Sequence, residues 1–439
     1  MGRKRDKLKK ITTSWTGRTL ASGKVALSLG KGLAAKAGAP LDGARIGEQL
    51  SDQLDGMKGL AMKVGQMVSY LDGTLPPATQ EALRRLQKGA DPLAFEAIEP
   101  ILEEALGLPV SEAFDTFEPD PIAAASIGQV HVATLGGQKL AVKVQYPGVR
   151  DTLAHDLHTF RRAGRLATLG TAVDIVDMAE ELAARLDEEC DYPREAAVQM
   201  QIAELWADDD TLVVPEVVPE RTAAKVLTQH FHDGRGLYDF AETATQEAKN
   251  RVGRHLFRFA FRNIFHHGLL HGDPHPGNLI LPDDHGDQVV QLDYGCVRFF
   301  EPTFVETWKK LAHVTLDQRR DRLVEATMDT GFVPDPAGYD WDAHWDVMNY
   351  LYEPFLSSHF RYTQDYVARS FDVIGLQSPN WRKTAMPGPW LLTNRLQWGL
   401  NSLLAILGAE GDFGALYREC LELPLVPTSA PAPLPTEPR

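Results

Sequence analysis

Three short polar clusters, far apart along this 439-residue chain, constrain its fold more than any other feature. A lysine ends an alternating apolar run, Lys139-Leu140-Ala141-Val142-Lys143-Val144. A turn-rich loop, His271-Gly272-Asp273-Pro274-His275-Pro276-Gly277-Asn278, sets an Asp and an Asn five residues apart. Asp293-Tyr294-Gly295 then follows two more apolar runs. The runs flanking these clusters have period two. Ile127 to Ala133, then Gly136-Gly137, then Lys139 to Val144 reads as a β-hairpin, because paired glycines supply the positive φ of a tight turn. Leu279 to Leu281 and Val289 to Leu292, split by Pro282-Asp283-Asp284-His285-Gly286, read as a second hairpin.

The rest of the chain is mainly helical in pattern. Ile46, Leu50, Leu54, Met57, Leu60, Val64, Met67 and Leu71 recur at helical spacing, Ala78 to Leu86 continues it, and a third helix starts near Phe95 and stops at Gly107. Residues 151 to 206, Gln246 to Phe265 and Phe304 to about Leu423 read as helical. Leu212 to Pro215 and Lys225 to Thr228 are of strand type. Pro424 to Arg439 holds six prolines in sixteen residues and is expected to be a structureless tail. The fold class is therefore α+β, with a mostly helical N-terminal extension and a helical C-terminal lobe. The expected domains are a basic flexible arm (1–40), a helical extension (41–110), a sheet-bearing lobe with a helical insertion (111–232), a helical lobe carrying the loops (233–423) and the Pro-rich tail (424–439).

Composition excludes several classes. Hydrophobic residues at 44% and charged residues at 24% rule out wholesale disorder, and Cys190, Cys296 and Cys420 are too few to staple a chain this long. A reducing, cytoplasmic setting is expected, without a signal peptide. The best apolar run, Leu400 to Leu407, is too short to span a bilayer. Charge is unevenly distributed: of 45 Lys and Arg and 60 Asp and Glu, ten and one fall in residues 1–40, so the arm carries +9 and the remainder −24. The arm is the candidate for peripheral contact with an anionic membrane, and no nucleic acid is expected.

A nucleoside triphosphate needs cations and oxygen donors. Lys143 can neutralise α- and β-phosphate oxygens, Asn278 and Asp293 offer the oxygen ligands Mg²⁺ prefers, and Asp273 can orient an acceptor and take its proton. Strand lysine, then Asp and Asn of a loop, then Asp before Gly is the order of the protein-kinase template. Each residue alone would pass for a surface lysine or a turn residue; the joint spacing does not.

Lys63-Val64-Gly65-Gln66, the run Ala123 to His131, Ala141 to Val149, Glu189-Cys190-Asp191-Tyr192, Glu195-Ala196, His271 to Asn278 and Asp293-Tyr294-Gly295 together resemble the UbiB-type atypical kinases, the AarF-domain family tied to coenzyme Q biosynthesis. The match spans roughly residues 50 to 300 and continues more loosely to about 420. The resemblance implies a bilobal protein-kinase-like fold that binds ATP or ADP with Mg²⁺. It implies that Glu195 pairs with Lys143, that Lys63 and Gln66 lie on a helix across the cleft as a lid, and that Glu189 and Asp191 receive the lid lysine. Ala124, Ala125 and Ser126 stand in the phosphate loop, where ordinary kinases carry glycines. With Ala123 they add three methyls and a hydroxyl, which make a stiffer loop and alter nucleotide preference. A quinone or isoprenoid lipid is the implied partner.

His275 replaces the lysine that usually follows the catalytic Asp by two, and no peptide-docking segment follows Asp293. Two other readings stay open beside an atypical kinase or ATPase. One is a nucleotide-gated pseudokinase that presents a lipid or a partner. The other is a small-molecule phosphotransferase of the aminoglycoside or choline kinase type, which the His271 to Asn278 loop also resembles. His267, His271 and His275 lie four apart, but Gly268, Gly272 and Pro274 break the helix a metal site would need. Cys190, between Glu189 and Asp191, is expected to be inert.

Overall fold

The structure is a computed structural model and describes residues 92–124, 127–151, 187–374, 378–380, 383–385 and 387–435. The basic arm, the extension up to residue 91 with Lys63 and Gln66, the loop residues Ala125 and Ser126, and residues 152–186 lie outside the described residues. The chain divides into two compact units. The first takes the sequence up to Ala197 with Glu216–Phe231 and Ala432–Arg439, and the second takes Val198–Pro215 and His232–Pro431.

In the first unit, helix α1 (Phe95–Leu106) buries Ile98, Ile101 and Leu102, the stripe its spacing requires. A short helix α2 (Val110–Ala113) leads into strands β1 (Thr116–Phe117) and β2 (Ala123–Ala124), both paired with β3 (Gly128–Leu135). The expected hairpin is present as β3 and β4 (Gln138–Gln145), in register from Gly128↔Gln145 to Leu135↔Gln138. Gly136 and Gly137, at φ 58° and 79°, make the turn, a conformation that side chains with a Cβ resist. Alternation buries Leu140, Val142 and Val144 and turns Lys143 to the other face. Strand β6 (Val226–His230) pairs with β4, setting Leu227 opposite Lys143.

Helix α3 (Tyr192–Leu205) begins in the first unit, but its second half belongs to the other. The reason is local: Val198, Ile202 and Trp206 bury with Phe259, Leu269 and Tyr294, and the Trp206 indole donates to Asn263 Oδ1 at 2.9 Å. Residues 198–215 thus pack with the loop-bearing body, whereas the sequence reading placed them in the sheet-bearing lobe.

The second unit is built on α5 (Gln246–Phe265), preceded by β5 (Leu212–Val213), β7 (Arg235–Gly236) and α4 (Leu237–Thr243). Thr245 caps α5, its side chain accepting from the Ala248 N–H at 3.2 Å. Phe257, Phe261, Ile264 and Phe265 recur at three and four residues and meet α6 (Pro302–Leu316), α8 (Trp341–Leu356), α10 (Gly388–Leu407) and α11 (Phe413–Glu422) in one aromatic core. Helices α7 (Arg320–Met328) and α9 (Gln364–Ile374) complete this helical part. Strands β8 (Leu269–His271), β9 (Leu279–Leu281), β10 (Val289–Gln291) and β11 (Val297–Phe299) carry the loops. They run as a sheet of order β5-β10-β9-β7 and a separate β8–β11 pair.

Two sequence expectations need correction. The C-terminal region is not wholly helical, because β12 (Phe360–Arg361) pairs with β13 (Glu410–Gly411). Residues 424–435 have no helix or strand, but they are not the structureless tail expected. The Val426 and Thr428 N–H groups donate to His266 O and His267 O at 2.6 and 2.9 Å, and in the first unit Leu434 N–H donates to Pro193 O at 3.1 Å. Proline bars regular structure by removing donors, yet the remaining N–H groups still find carbonyls. Among the described residues no helix is long and apolar enough to cross a membrane.

Candidate functional site

In the first unit, Lys143 Nζ lies 3.0 and 3.1 Å from the two carboxylate oxygens of Glu195. Hairpin alternation puts the lysine on its face, and the first turn of α3 supplies the glutamate, which is only 1% exposed. A carboxylate buried this deeply needs a cation, since an isolated one would carry a large desolvation penalty. The Tyr192 ring lies 4.9 Å from the same ammonium and closes another side. Asp191 Oδ1 accepts the Arg194 N–H at 3.1 Å, so this acid caps the helix that carries Glu195. Glu189 is half-buried just before it. Ala124 pairs with Gln129 across β2 and β3. Ala125, Ser126, Lys63 and Gln66 are not among the described residues, so the implied meeting of Lys63 with Glu189 and Asp191 falls outside them.

In the second unit, Asp273, Asn278 and Asp293 come together through the backbone. The Asn278 amide donates to Asp273 Oδ2 at 3.2 Å and to Asp273 O at 3.3 Å. Leu292 N–H donates to Asn278 O at 2.9 Å, which extends the β9–β10 ladder to the residue before Asp293. His271, 4% exposed, donates through Nε2 to Asp293 O at 2.5 Å. Gly272 N–H donates to Cys296 O at 2.8 Å, and a Cβ on Gly272 would sit 2.7 Å from that oxygen, so the approach demands glycine. Asp293 Oδ1 accepts Gly295 N–H at 3.0 Å, which orients the carboxylate.

The donor set fits Mg²⁺. Asn278 spends its nitrogen end on Asp273 and keeps its oxygen end as a donor, and Asp293 is a carboxylate held by its own turn. Two oxygen ligands completed by phosphate and water are what this small, hard cation takes. No group of three or more His, Cys, Asp or Glu suited to a metal occurs among the described residues.

Sequence reasoning missed two parts. His271 was read as part of the loop motif and rejected as a metal ligand, with no role of its own, yet it clamps the Asp273 loop to the Asp293 loop. Tyr294 is fully buried, and burial raises its phenol well above the usual range. The signal for both was their place in the same short motifs as Asp273 and Asp293.

A family model for the ABC1 atypical kinase-like domain matches residues 85–327, more than half of the chain. The chain belongs to the ABC1 atypical kinase-like family. Its fold is accordingly kinase-like, with mixed helices and sheets. Family relatives include the mitochondrial atypical kinase COQ8B of Rattus norvegicus, 32% identical over 71% of this chain and 59% of the relative. The mitochondrial atypical kinase COQ8 of Saccharomyces cerevisiae is 29% identical over 85% of this chain and 75% of the relative. The chain thus spans between half and three-quarters of the length of the first curated relatives it matches. Among solved structures, the complex of Rv3197 with erythromycin from Mycobacterium tuberculosis has TM-score 0.64 and 30% identity, covering 87% of this chain and 95% of that one.

Proposed function

We propose that this chain is an atypical kinase or ATPase that binds ATP or ADP with Mg²⁺ and serves isoprenoid-quinone or related lipid metabolism. The observation that carries the reading is that Asn278 bonds Asp273 directly while His271 and Leu292 tie the Asp293 loop to the same strands, a set of groups suited to phosphate and magnesium. Lys143, fixed by Glu195, neutralises phosphate oxygens. Asn278 and Asp293 hold the metal, which screens phosphate charge when bound. Asp273 orients the acceptor hydroxyl or water and accepts its proton, while the Asn278 amide fixes the rotamer of that carboxylate. The alanine-rich loop, the lid residues Lys63 and Gln66 and the acids Glu189 and Asp191 set nucleotide preference and access. Contact with a quinone or isoprenoid lipid, and with a membrane through the basic arm, belongs to the same proposal.

Thermal unfolding with and without Mg²⁺–ADP or Mg²⁺–ATP tests it. At about 100 times Kd the ligand stabilises the protein by ~2.7 kcal/mol, several degrees in Tm. Asp293→Asn should abolish the shift at unchanged ligand-free Tm; no shift in the wild type ends the reading.

A second reading has its own support in the solved complex of the neighbour with erythromycin: a module that binds a large apolar hydroxyl compound under nucleotide control. Saturable binding of a macrolide that disappears with Asp293→Asn, without ATP turnover, favours it.

A further inference from the structure

Gln129 and His131 are both 0% exposed, on a strand whose other buried side chains are apolar. Buried polar groups persist only when bonded, and this pair is bonded completely. Gln129 Oε1 accepts the Leu93 N–H at 2.8 Å and Nε2 donates to Leu93 O at 3.2 Å, so one side-chain amide grips both backbone groups of one residue as a strand would. The second Nε2 hydrogen goes to His131 Nε2 at 3.0 Å. That ring nitrogen must therefore be the acceptor, which leaves the proton on Nδ1, where it is donated to Glu118 O at 2.9 Å. Phe95 stacks beside the grip, its centroid 6.2 Å from the His131 ring and 5.4 Å from Phe117.

The position of this clasp matters as much as its chemistry. Leu93 lies two residues before the start of α1, so the grip fixes where that helix leaves the sheet. Across β2 and β3, Gln129 is the partner of Ala124 in the alanine-rich segment; across β3 and β4 it faces Val144, while Lys143 pairs with Val130 on the opposite face. Gln129 thus does not share the face of the lysine, and any influence on a nucleotide is exerted through what it holds.

We propose that Gln129 is a positioning residue that ties Leu93, and with it the start of α1, to β3 and its partner strand Ala123–Ala124, so that helix and strands keep one register. The link to nucleotide handling rests on the proposed function; the clasp itself does not.

Amide exchange and Mg²⁺–ADP titration on the full chain, wild type beside Gln129→Met and Gln129→Glu, test both parts. Methionine keeps the length and removes every bond; glutamate keeps only the acceptor for Leu93 N–H. In Gln129→Met, Leu93 exchange should rise about tenfold or more while Val142, in the neighbouring strand, is unchanged. Gln129→Glu should fall between, and Kd for Mg²⁺–ADP should weaken several-fold in the same order. Unchanged Leu93 exchange overturns the clasp, as does a parallel rise at Leu93 and Val142, which is plain loss of stability. Freed Leu93 with unchanged Kd overturns the coupling. If the wild type binds no Mg²⁺–ADP, the nucleotide reading falls, and Leu93 exchange still decides the clasp. Should Gln129→Met not fold, the glutamate variant supplies the same comparisons.

Discussion

Lys143 and Glu195 hold each other by charge, side chain to side chain; Asp273, Asn278 and Asp293 are held largely by the backbone around them. The first arrangement rests on a five-stranded sheet whose buried apolar side chains are Val, Leu and Ala, the second on a helical body packed with aromatic rings. The difference teaches where each half is vulnerable. A loop fixed by main-chain bonds keeps its shape when one of its acids is replaced, whereas an ion pair with one buried member cannot lose its partner without stranding a charge.

The largest expected effect belongs to the core beneath the loops. Phe257 is fully buried, with ring centroids 4.6 Å from Phe261, 5.3 Å from Phe413 and 5.7 Å from Phe355. Phe257→Ala should cost about 4 kcal/mol, through lost transfer energy and the cavity left behind. Every tryptophan among the described residues lies in the second unit, so urea unfolding followed by tryptophan fluorescence reads this region. A loss below about 1 kcal/mol would mean the rings do not carry the unit, and the contrast drawn above breaks.

Next comes the pair itself. Lys143→Met leaves Glu195 buried without its cation and should destabilise by about 3 kcal/mol. The double variant Lys143→Met with Glu195→Gln should regain most of that stability and none of the nucleotide-dependent shift. Chemical unfolding followed by far-UV circular dichroism checks it, because the first unit has no tryptophan among its described residues. Equal stability of the single and double variants would show that the burial of Glu195 carries no electrostatic cost.

Much of this was legible in the sequence, unevenly and for physical reasons. Period-two alternation and the Gly136-Gly137 turn specify β3 and β4 locally, and the 3.6-residue spacing of α5 specifies its buried face. The meeting of Asp273, Asn278 and Asp293 could be inferred from loop chemistry. Strands of two or three residues such as β1, β2, β7 and β12 were not legible, because they exist only through partners remote in sequence. Residues 424–435 were read as disordered because composition reports missing donors but not where the remaining ones go. Asp191 was assigned to the lid on resemblance alone; its observed bond is to the backbone of its own helix.

Acid should sharpen the contrast by reversing it. His344, in the helical unit, is 7% exposed, bonds Tyr339 OH at 3.0 Å and Thr327 Oγ1 at 3.2 Å, and burial holds its imidazole down at about 4. Above about pH 6.5 the ring is neutral folded or unfolded and contributes no pH dependence. Below it the unfolded chain binds a proton that the folded site refuses, so stability falls as pH drops from about 6.5 toward 4, by ~2 kcal/mol at pH 4.5. Tryptophan-detected melting from pH 7 to 4.5 should show at least this slope, to which buried His267, also held down at about 4, adds in the same direction, and His344→Gln should make it shallower. An identical slope in the variant would move the acid sensitivity elsewhere.

The smallest effect separates helix capping from charge at the Lys143 pair. Asp191 accepts the Arg194 N–H, and removing a cap of this kind costs about 1 kcal/mol. Asp191→Ala should lose that much, while Asp191→Asn and Asp191→Ser, which cap as well without the charge, should lose almost nothing. Because the capped turn carries Glu195, the alanine variant should also weaken Mg²⁺–ADP binding slightly through a less firmly placed Lys143. If asparagine and serine restore stability but not binding, the charge of Asp191 acts beyond its helix. If they restore both, capping accounts for the residue.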